Sequence, residues 1–280
     1  MDIATKKELE LLALKARMGI IEEVYQAKSG HPGGSLSVID TLTYIYFKEM
    51  NVDPKNPKWE DRDRFVLSKG HCAPALYSIL ALKGFFPQEE LKSLRKVGAM
   101  LQGHPDMKGT PGVDMSTGSL GQGISAACGM AISAKLSKKD YRVFAVLGDG
   151  EIQEGMVWEA AMLAAHYKLD NLIAVVDNNG LQIDGRITEV CSPEPIPEKF
   201  EAFGWHVIRI DAHNFDEIEK AFEEAKTVKG KPTVIVQKSF KGKGVSYMHD
   251  NVAWHGSAPN KEQYDIAMEE LNQELARLQA

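Results

Sequence analysis

The sequence has few of the residues that stabilise a fold through covalent or metal cross-links. Among its 280 residues are three cysteines, Cys72, Cys128 and Cys191, which lie far apart and form no Cys-x-x-Cys pair. We therefore predict neither a disulfide framework nor a zinc site. Hydrophobic residues make up 44% of the chain and charged residues 26%. This composition is typical of a protein that folds around an ordinary hydrophobic core.

An excess of basic residues is also missing. The net charge is -6 at pH 7, and a nucleic-acid partner would require a basic face. The N-terminus lacks the apolar segment of a signal peptide. No apolar run approaches the roughly 20 residues of a membrane span. We therefore expect neither a nucleic-acid nor a membrane partner, and a cytoplasmic location.

Internal repeats, low-complexity tracts and flexible linkers are absent as well, so we predict one domain over residues 1–280. Short β-rich runs alternate with helical segments along it. The predicted strands are 64–67, 141–147, 171–176, 205–210 and 233–237. The predicted helices are 5–28, 35–49, a segment ending near 82, 124–136, 153–167, 196–203, 214–227 and 261–278. Continuous apolar strands separated by helices indicate an α/β fold, with a parallel sheet covered by helices on both faces.

Two predicted strands end in residues suited to binding a cation. The first leads to Asp149 between Gly148 and Gly150, and the next leads to Asn179, 30 residues further on. Because parallel strands end at the same edge of a sheet, these two side chains should converge. Magnesium prefers oxygen ligands, which Asp149, Asn179 and the Leu181 carbonyl can supply.

The glycines on either side of Asp149 allow close approach of a phosphate to the backbone. A helix following Gly150 would direct its N-terminus toward such an anion. Gly-Asp-Gly and Asn-Asn are each common turns when they occur alone. Their occurrence at two strand ends in the same chain favours a site for a diphosphate and its metal ion.

With the Gly-Asp-Gly and Asn-Asn motifs at two strand ends, the sequence resembles the thiamine-diphosphate-dependent enzymes, and most closely the N-terminal half of transketolase. Matching segments extend over nearly the whole chain in one order. They are 29–33, 65–71, 103–105, 117–123, 148–155, 171–185, 200–207 and 254–256. Several such blocks together are highly specific.

The resemblance implies thiamine diphosphate as cofactor and Mg²⁺, or Ca²⁺ or Mn²⁺ in its place, as metal ion. Asp149, Asn179 and the Leu181 carbonyl would hold the metal. The implied cofactor-binding residues are His71, Gly118, Leu120, Asp149, Gly150, Glu151, Asn179, Leu181, Lys241 and His255. Glu154 and Glu159 match family glutamates at the subunit contact.

Four histidines are the catalytic candidates: His31, His71, His104 and His255. The first three lie in loops that contain glycine, and the resemblance places them near the thiazolium ring, the diphosphate or the sugar hydroxyls. Imidazole can donate, accept or transfer a proton near neutral pH, as ketol transfer requires. The remaining histidines, 166, 206, 213 and 249, are expected to be surface or packing residues.

The family also needs a glutamate that contacts the aminopyrimidine ring and arginines that bind the sugar phosphate. Both belong to a pyrimidine-binding domain, for which we find no counterpart in this sequence. We therefore expect a split transketolase, in which a C-terminal subunit completes each site, most simply as two copies of each chain. The sequence departs from the family pattern at Gly34, at 186–195 and at His249-Asp250. The resemblance therefore does not identify the sugar phosphate substrates.

Two other functions remain possible on sequence grounds. The chain could belong to another thiamine-diphosphate enzyme, such as a 2-oxo-acid dehydrogenase α-chain or a deoxyxylulose-phosphate-synthase-like enzyme. These enzymes share the Gly-Asp-Gly and Asn cofactor motif but do not usually have the four histidines in the same sequence segments. The second possibility is a non-catalytic module that binds the cofactor.

Overall fold

A computed structural model describes all residues, 1–280, and contains nine α-helices. These are α1 (Ile3–Ala27), α2 (Pro32–Tyr44), α3 (Ala73–Lys83), α4 (Gln122–Ser137), α5 (Gly155–His166), α6 (Ile187–Val190), α7 (Ile196–Ala202), α8 (Phe215–Thr227) and α9 (Lys261–Gln279). The helix α9 begins with a capping box, in which the Asn260 side chain accepts from the Gln263 backbone N–H and the Gln263 side chain accepts from the Asn260 backbone N–H. No helix has both the length and the apolar composition needed to cross a bilayer.

Seven strands form two sheets. They are β1 (Arg64–Leu67), β2 (Val143–Gly148), β3 (Leu172–Asn178), β4 (Leu181–Gln182), β5 (Gly185–Arg186), β6 (His206–Asp211) and β7 (Thr233–Lys238). Five of them make a sheet in the order β1-β2-β3-β7-β6, and every neighbouring pair is parallel. The prediction of an α/β fold with a parallel sheet is confirmed. β4 and β5 form a small antiparallel hairpin.

The sheet separates two hydrophobic cores because alternate residues of each strand face opposite sides. Phe144 and Val146 of β2 belong to the larger core, which includes residues of α1, α2, α3, α8 and α9. Val143, Ala145 and Leu147 belong to the smaller core with α4, α5 and α7. Burial on both faces explains why the strands are continuous apolar runs.

Element boundaries differ from the prediction at two places beside the site. The second helix begins at Pro32, inside the segment that was expected to be a break, because proline is well suited to the first helical turn. The helix predicted to begin at residue 153 begins at Gly155, after a 3-10 turn at Glu151–Gln153. The short hairpin at residues 181–186 was not predicted.

The larger core also contains a buried acid. Glu23 on α1 is 0% exposed, and its Oε1 accepts a hydrogen bond of 2.7 Å from the Ser78 hydroxyl. Its second oxygen has no partner. Burial raises the pKa of Glu23 well above its usual value of 4.5, because the charged form is poorly solvated there.

This burial leads to a pH-dependent prediction for Glu23→Gln. Above pH 4.5 the unfolded chain loses this proton while the folded protein keeps it, so wild-type stability falls as pH rises through that range. We expect the stability of the variant relative to wild type to be greater at pH 8 than at pH 4.5. Denaturant unfolding at both pH values measures this difference in stability, with Glu8→Gln, at an exposed position, as control. Equal differences at the two pH values would contradict the prediction.

Candidate active site

The predicted site residues meet in one cavity of about 350 Å³, at the edge of the sheet where β1, β2 and β3 end. Every predicted metal, cofactor or catalytic residue lines this cavity except His104. Leu120 is 37% exposed at its rim. The convergence follows from the parallel register, in which Gly148 at the end of β2 lies beside Asp177 of β3.

Asp149 and Asn179 are joined by the turn that follows β3. The Asp149 carboxylate accepts hydrogen bonds from the backbone N–H groups of Gly150, at 2.8 Å, and Gly180, at 2.5 Å. The Asn179 side chain donates to Asp177 at 3.3 Å. This bond fixes the orientation of the amide, and Oδ1 accepts from the Leu181 N–H at 3.1 Å. Burial raises the pKa of Asp149 to about 7.

Lys241 enters the cavity from the loop after β7 and is 2% exposed. Its ammonium donates to the Leu181 carbonyl at 3.1 Å and lies 2.9 Å from His255 Nδ1. Burial lowers the pKa of Lys241 to about 8. The carbonyl assigned to the metal thus already contacts a cation, and the buried lysine is available to an anion bound beside it.

Three histidine rings form a cluster at the cavity. The His31, His71 and His255 centroids are separated by 5.2 Å, 5.5 Å and 5.2 Å in the three pairs. Burial lowers the pKa of His31 to about 4 and of His255 to about 3, and it also lowers the pKa of His71. Neutral rings can accept protons, and His31 Nδ1 is buried without a hydrogen-bond partner.

His104 does not line the cavity and lies in a loop that packs against Gly118. A Cβ at Gly118 would come within 3.2 Å of the His104 ring, so a side chain there would require the imidazole to shift by a few tenths of an ångström. The His104 carbonyl accepts from the Tyr77 hydroxyl at 3.0 Å. Burial and the charge of Arg95 lower the pKa of His104.

Arg95 is a residue that the sequence did not single out. It donates to the Ser29 hydroxyl at 2.9 Å, and a Cβ at Gly103 would lie 3.0 Å from its Nε. It therefore connects the loop before His31 with the loop before His104. No carboxylate pairs with it, although six of the eight arginines have acidic partners.

A buried ion pair beneath the cavity was also missed. Asp177 of β3 is 0% exposed and lies 2.5 Å from the ammonium of Lys69, which is 1% exposed. The Asp177 carboxylate also accepts from Ser37 at 2.6 Å and from Ser239. These donors lower the pKa of Asp177 despite its burial. The pair therefore fixes the ends of β1 and β3 and the loop after β7.

Glu151 lines the cavity, but its carboxylate is already satisfied by the protein. It accepts from the backbone N–H groups of Gly121 and Gly148, both at 3.0 Å, and from the Ser68 hydroxyl. Gly34, which departs from the family pattern, is closely covered, since a Cβ there would lie 2.8 Å from Cys72 Sγ. Both residues shape the cavity wall.

Residues 10–275 match the family model described as the thiamine diphosphate binding domain of transketolase. The chain is 49% identical to the 6-deoxy-6-sulfo-D-fructose transketolase subunit SqwG of Clostridium sp., with 91% of this chain and 93% of that protein covered. It is 44% identical to one of the apulose-4-phosphate transketolase subunits of Phocaeicola vulgatus, with coverages of 97% and 96%.

Solved structures agree with this match. The chain superposes on a transketolase from Campylobacter jejuni with a TM-score of 0.90 and 35% identity, over 97% of this chain and 43% of that one. It thus spans less than half of a full-length transketolase and nearly all of the two subunits. The family predicted from the sequence is confirmed: the chain belongs to the transketolase family, whose enzymes transfer ketol groups with thiamine diphosphate, and corresponds to their cofactor-binding domain.

Proposed function

We propose that this chain is the diphosphate-binding subunit of a two-chain transketolase. It would hold a divalent cation and the diphosphate of thiamine diphosphate, and a second chain would supply the pyrimidine-binding domain. Together they would transfer a two-carbon ketol unit from a ketose phosphate to an aldose. The observation that carries this proposal is the convergence of Asp149, Asn179, Lys241 and three histidines in one cavity.

The donor set fits a hard cation, with Mg²⁺ expected and Ca²⁺ or Mn²⁺ able to replace it. Asp149 offers carboxylate oxygens, Asn179 an amide oxygen and Leu181 a carbonyl, and such ions bind oxygen. No group of three or more histidine, cysteine or acidic side chains could hold a metal on its own. The cation is therefore expected to bind together with the diphosphate, whose oxygens would complete its coordination.

The basic and imidazole groups have separate tasks in this proposal. Lys241 and His255 lie beside the Leu181 carbonyl and are suited to the diphosphate. Bound thiamine diphosphate supplies the carbanion chemistry. His31 and His71, which are neutral at pH 7, would accept or donate protons at sugar hydroxyls. His104, in the loop that packs against Gly118, would act at another sugar hydroxyl.

The proposed substrate is a sugar with an acidic group. The relatives are named for a sulfonated fructose and for a sugar phosphate. Arg95 lies beside His31 and His104 without a carboxylate partner, and a guanidinium is suited to phosphate or sulfonate oxygens. Whether the natural sugar is an ordinary pentose phosphate or a specialised ketose is a question for assays with both.

An exposed apolar face supports a partner chain. Met156, Met162, Leu163 and Tyr167, on and just after α5, are 40%, 59%, 40% and 53% exposed. Several large apolar side chains exposed on one short helix are typical of an interaction site. Glu154 and Glu159 are exposed on the same segment. We assign this face to the subunit contacts of an assembly with two copies of each chain.

Reconstitution tests the proposal. This chain alone should show no ketol transfer, and adding the second subunit, thiamine diphosphate and Mg²⁺ should produce it. The double substitution Met162→Lys and Leu163→Lys should prevent assembly, as measured by light scattering, while Val97→Lys, at an exposed position far along the chain, should not. Turnover by the isolated chain would refute the two-chain arrangement, and use of 2-oxo acids in place of ketoses would refute the transferase activity.

A further inference from the structure

A second buried charge cluster lies beside the loop that carries Lys241. Asp40 on α2 is 5% exposed, and Arg17 on α1 is 7% exposed. The Arg17 guanidinium donates to both Asp40 oxygens, at 2.9 Å and 2.6 Å. His213, in the loop after β6, places Nδ1 2.7 Å from Asp40 Oδ2. None of these three residues lines the cavity described above.

The hydrogen bonds of His213 define its tautomer. Its Nε2 accepts the backbone N–H of Phe240 at 3.2 Å, so Nε2 carries no proton. Nδ1 therefore carries the proton and donates it to Asp40. In this way one nitrogen of the imidazole bonds the carboxylate and the other holds the backbone of the loop after β7.

Arg17 holds the same loop at a second point. Its Nε donates to the Lys243 carbonyl at 3.2 Å. The next residue, Gly244, has φ +96°, and a Cβ there would lie 2.9 Å from Arg17 Cδ. The backbone at 240 and at 243 is thus tied to a single carboxylate, with Lys241 between the two points.

We infer that Arg17, Asp40 and His213 are positioning residues for Lys241. They hold the loop so that the buried ammonium remains at the Leu181 carbonyl and His255, where it can contact the diphosphate. The ligand that Lys241 would contact is a polyphosphate ester. The inference rests on the proposed function, since it assumes that Lys241 contacts the cofactor.

Two substitutions at His213 separate its two bonds. Asparagine keeps a donor near the position of Nδ1, toward Asp40, and removes the acceptor for the Phe240 N–H. Glutamine keeps an acceptor near the position of Nε2 and removes the donor to Asp40. If the role is to position the loop, His213→Asn should have the larger effect on the cofactor.

The measurement is the Kd for thiamine diphosphate with saturating Mg²⁺, by calorimetry on the assembled two-chain protein. His213→Asn should raise this Kd about tenfold, equivalent to ~1.4 kcal/mol, and leave the KM for the sugar unchanged at saturating cofactor. Arg17→Lys, which loses the bond to the Lys243 carbonyl, should act in the same direction if His213→Asn does not fold. Ile39→Val, a buried change on α2, is the control for lost stability.

A double-mutant cycle with Lys241→Ala decides whether the effect passes through the lysine. In that background His213→Asn should cause no further rise in Kd. Additive effects, or a lower thermal stability with an unchanged Kd, would overturn the inference. If wild-type protein itself does not bind thiamine diphosphate, the proposed function fails instead, so the two failures are distinguishable.

Discussion

Replacing Asp149 with asparagine is expected to weaken Mg²⁺-dependent binding of thiamine diphosphate by more than ~100-fold. Asp149 is the one carboxylate among the proposed metal ligands, and loss even of an outer partner of a metal ligand costs about 10–100-fold. Both Asp149 oxygens accept backbone N–H groups. In the asparagine variant, the side-chain NH₂ group would face one of these N–H donors and could not accept its hydrogen bond. Calorimetric titration of the assembled protein with cofactor, with and without Mg²⁺, measures the loss.

The matched control for this change is Asp184→Asn. Asp184 is an exposed acid in the hairpin after the Asn179 turn, so its replacement makes the same change in charge close to the site. The Asp184→Asn variant should bind the cofactor as wild type does. Wild-type affinity in the Asp149→Asn variant would exclude Asp149 as a ligand and remove the main support for the metal site.

The second large effect is expected from Asp177→Asn, which should lower the free energy of unfolding by about 3–5 kcal/mol. This is the usual loss when one partner of a buried ion pair is removed and the other stays charged. Lys69, at 1% exposure, would have no counter-charge, and Ser37 would lose a carboxylate acceptor. Cofactor binding should weaken too, because Asn179 is held by Asp177.

Denaturant unfolding of the isolated chain measures this stability. Adding Lys69→Met to Asp177→Asn should recover part of the loss, since the unpaired charge is then removed. A larger loss in the double variant than in Asp177→Asn alone would show that the ion pair is not the main cause. The surface pair of Lys135 and Asp170, with side chains 40% and 23% exposed, provides the contrast, because exposed pairs contribute only ~0–1 kcal/mol.

Much of the site could be predicted because its residues follow strands. Asp149 and Asn179 come directly after two apolar runs, and parallel strands bring their carboxyl ends to one edge. The chemistry of oxygen ligands then follows from residue type alone. The position of His104 could not be predicted in this way, because its loop follows no strand and its place depends on packing against Gly118.

The buried charge clusters were beyond sequence reasoning for a different reason. Lys69 and Asp177 are 108 residues apart, and Asp40 and His213 are 173 residues apart. No periodicity relates such residues, and His213 alone is typical of ordinary packing. Only the folded chain decides that its ring lies between Asp40 and the Phe240 N–H.

The sequence by itself therefore determined the parallel sheet, the strand ends that carry Asp149 and Asn179, and the transketolase family. Local hydrophobic patterns and short motifs are sufficient for these, since they act within one strand or turn. The tertiary structure decided which charges are buried together, how the Lys241 loop is held and which apolar face stays exposed. These depend on contacts between distant segments, whose energies arise only when the helices pack on the sheet.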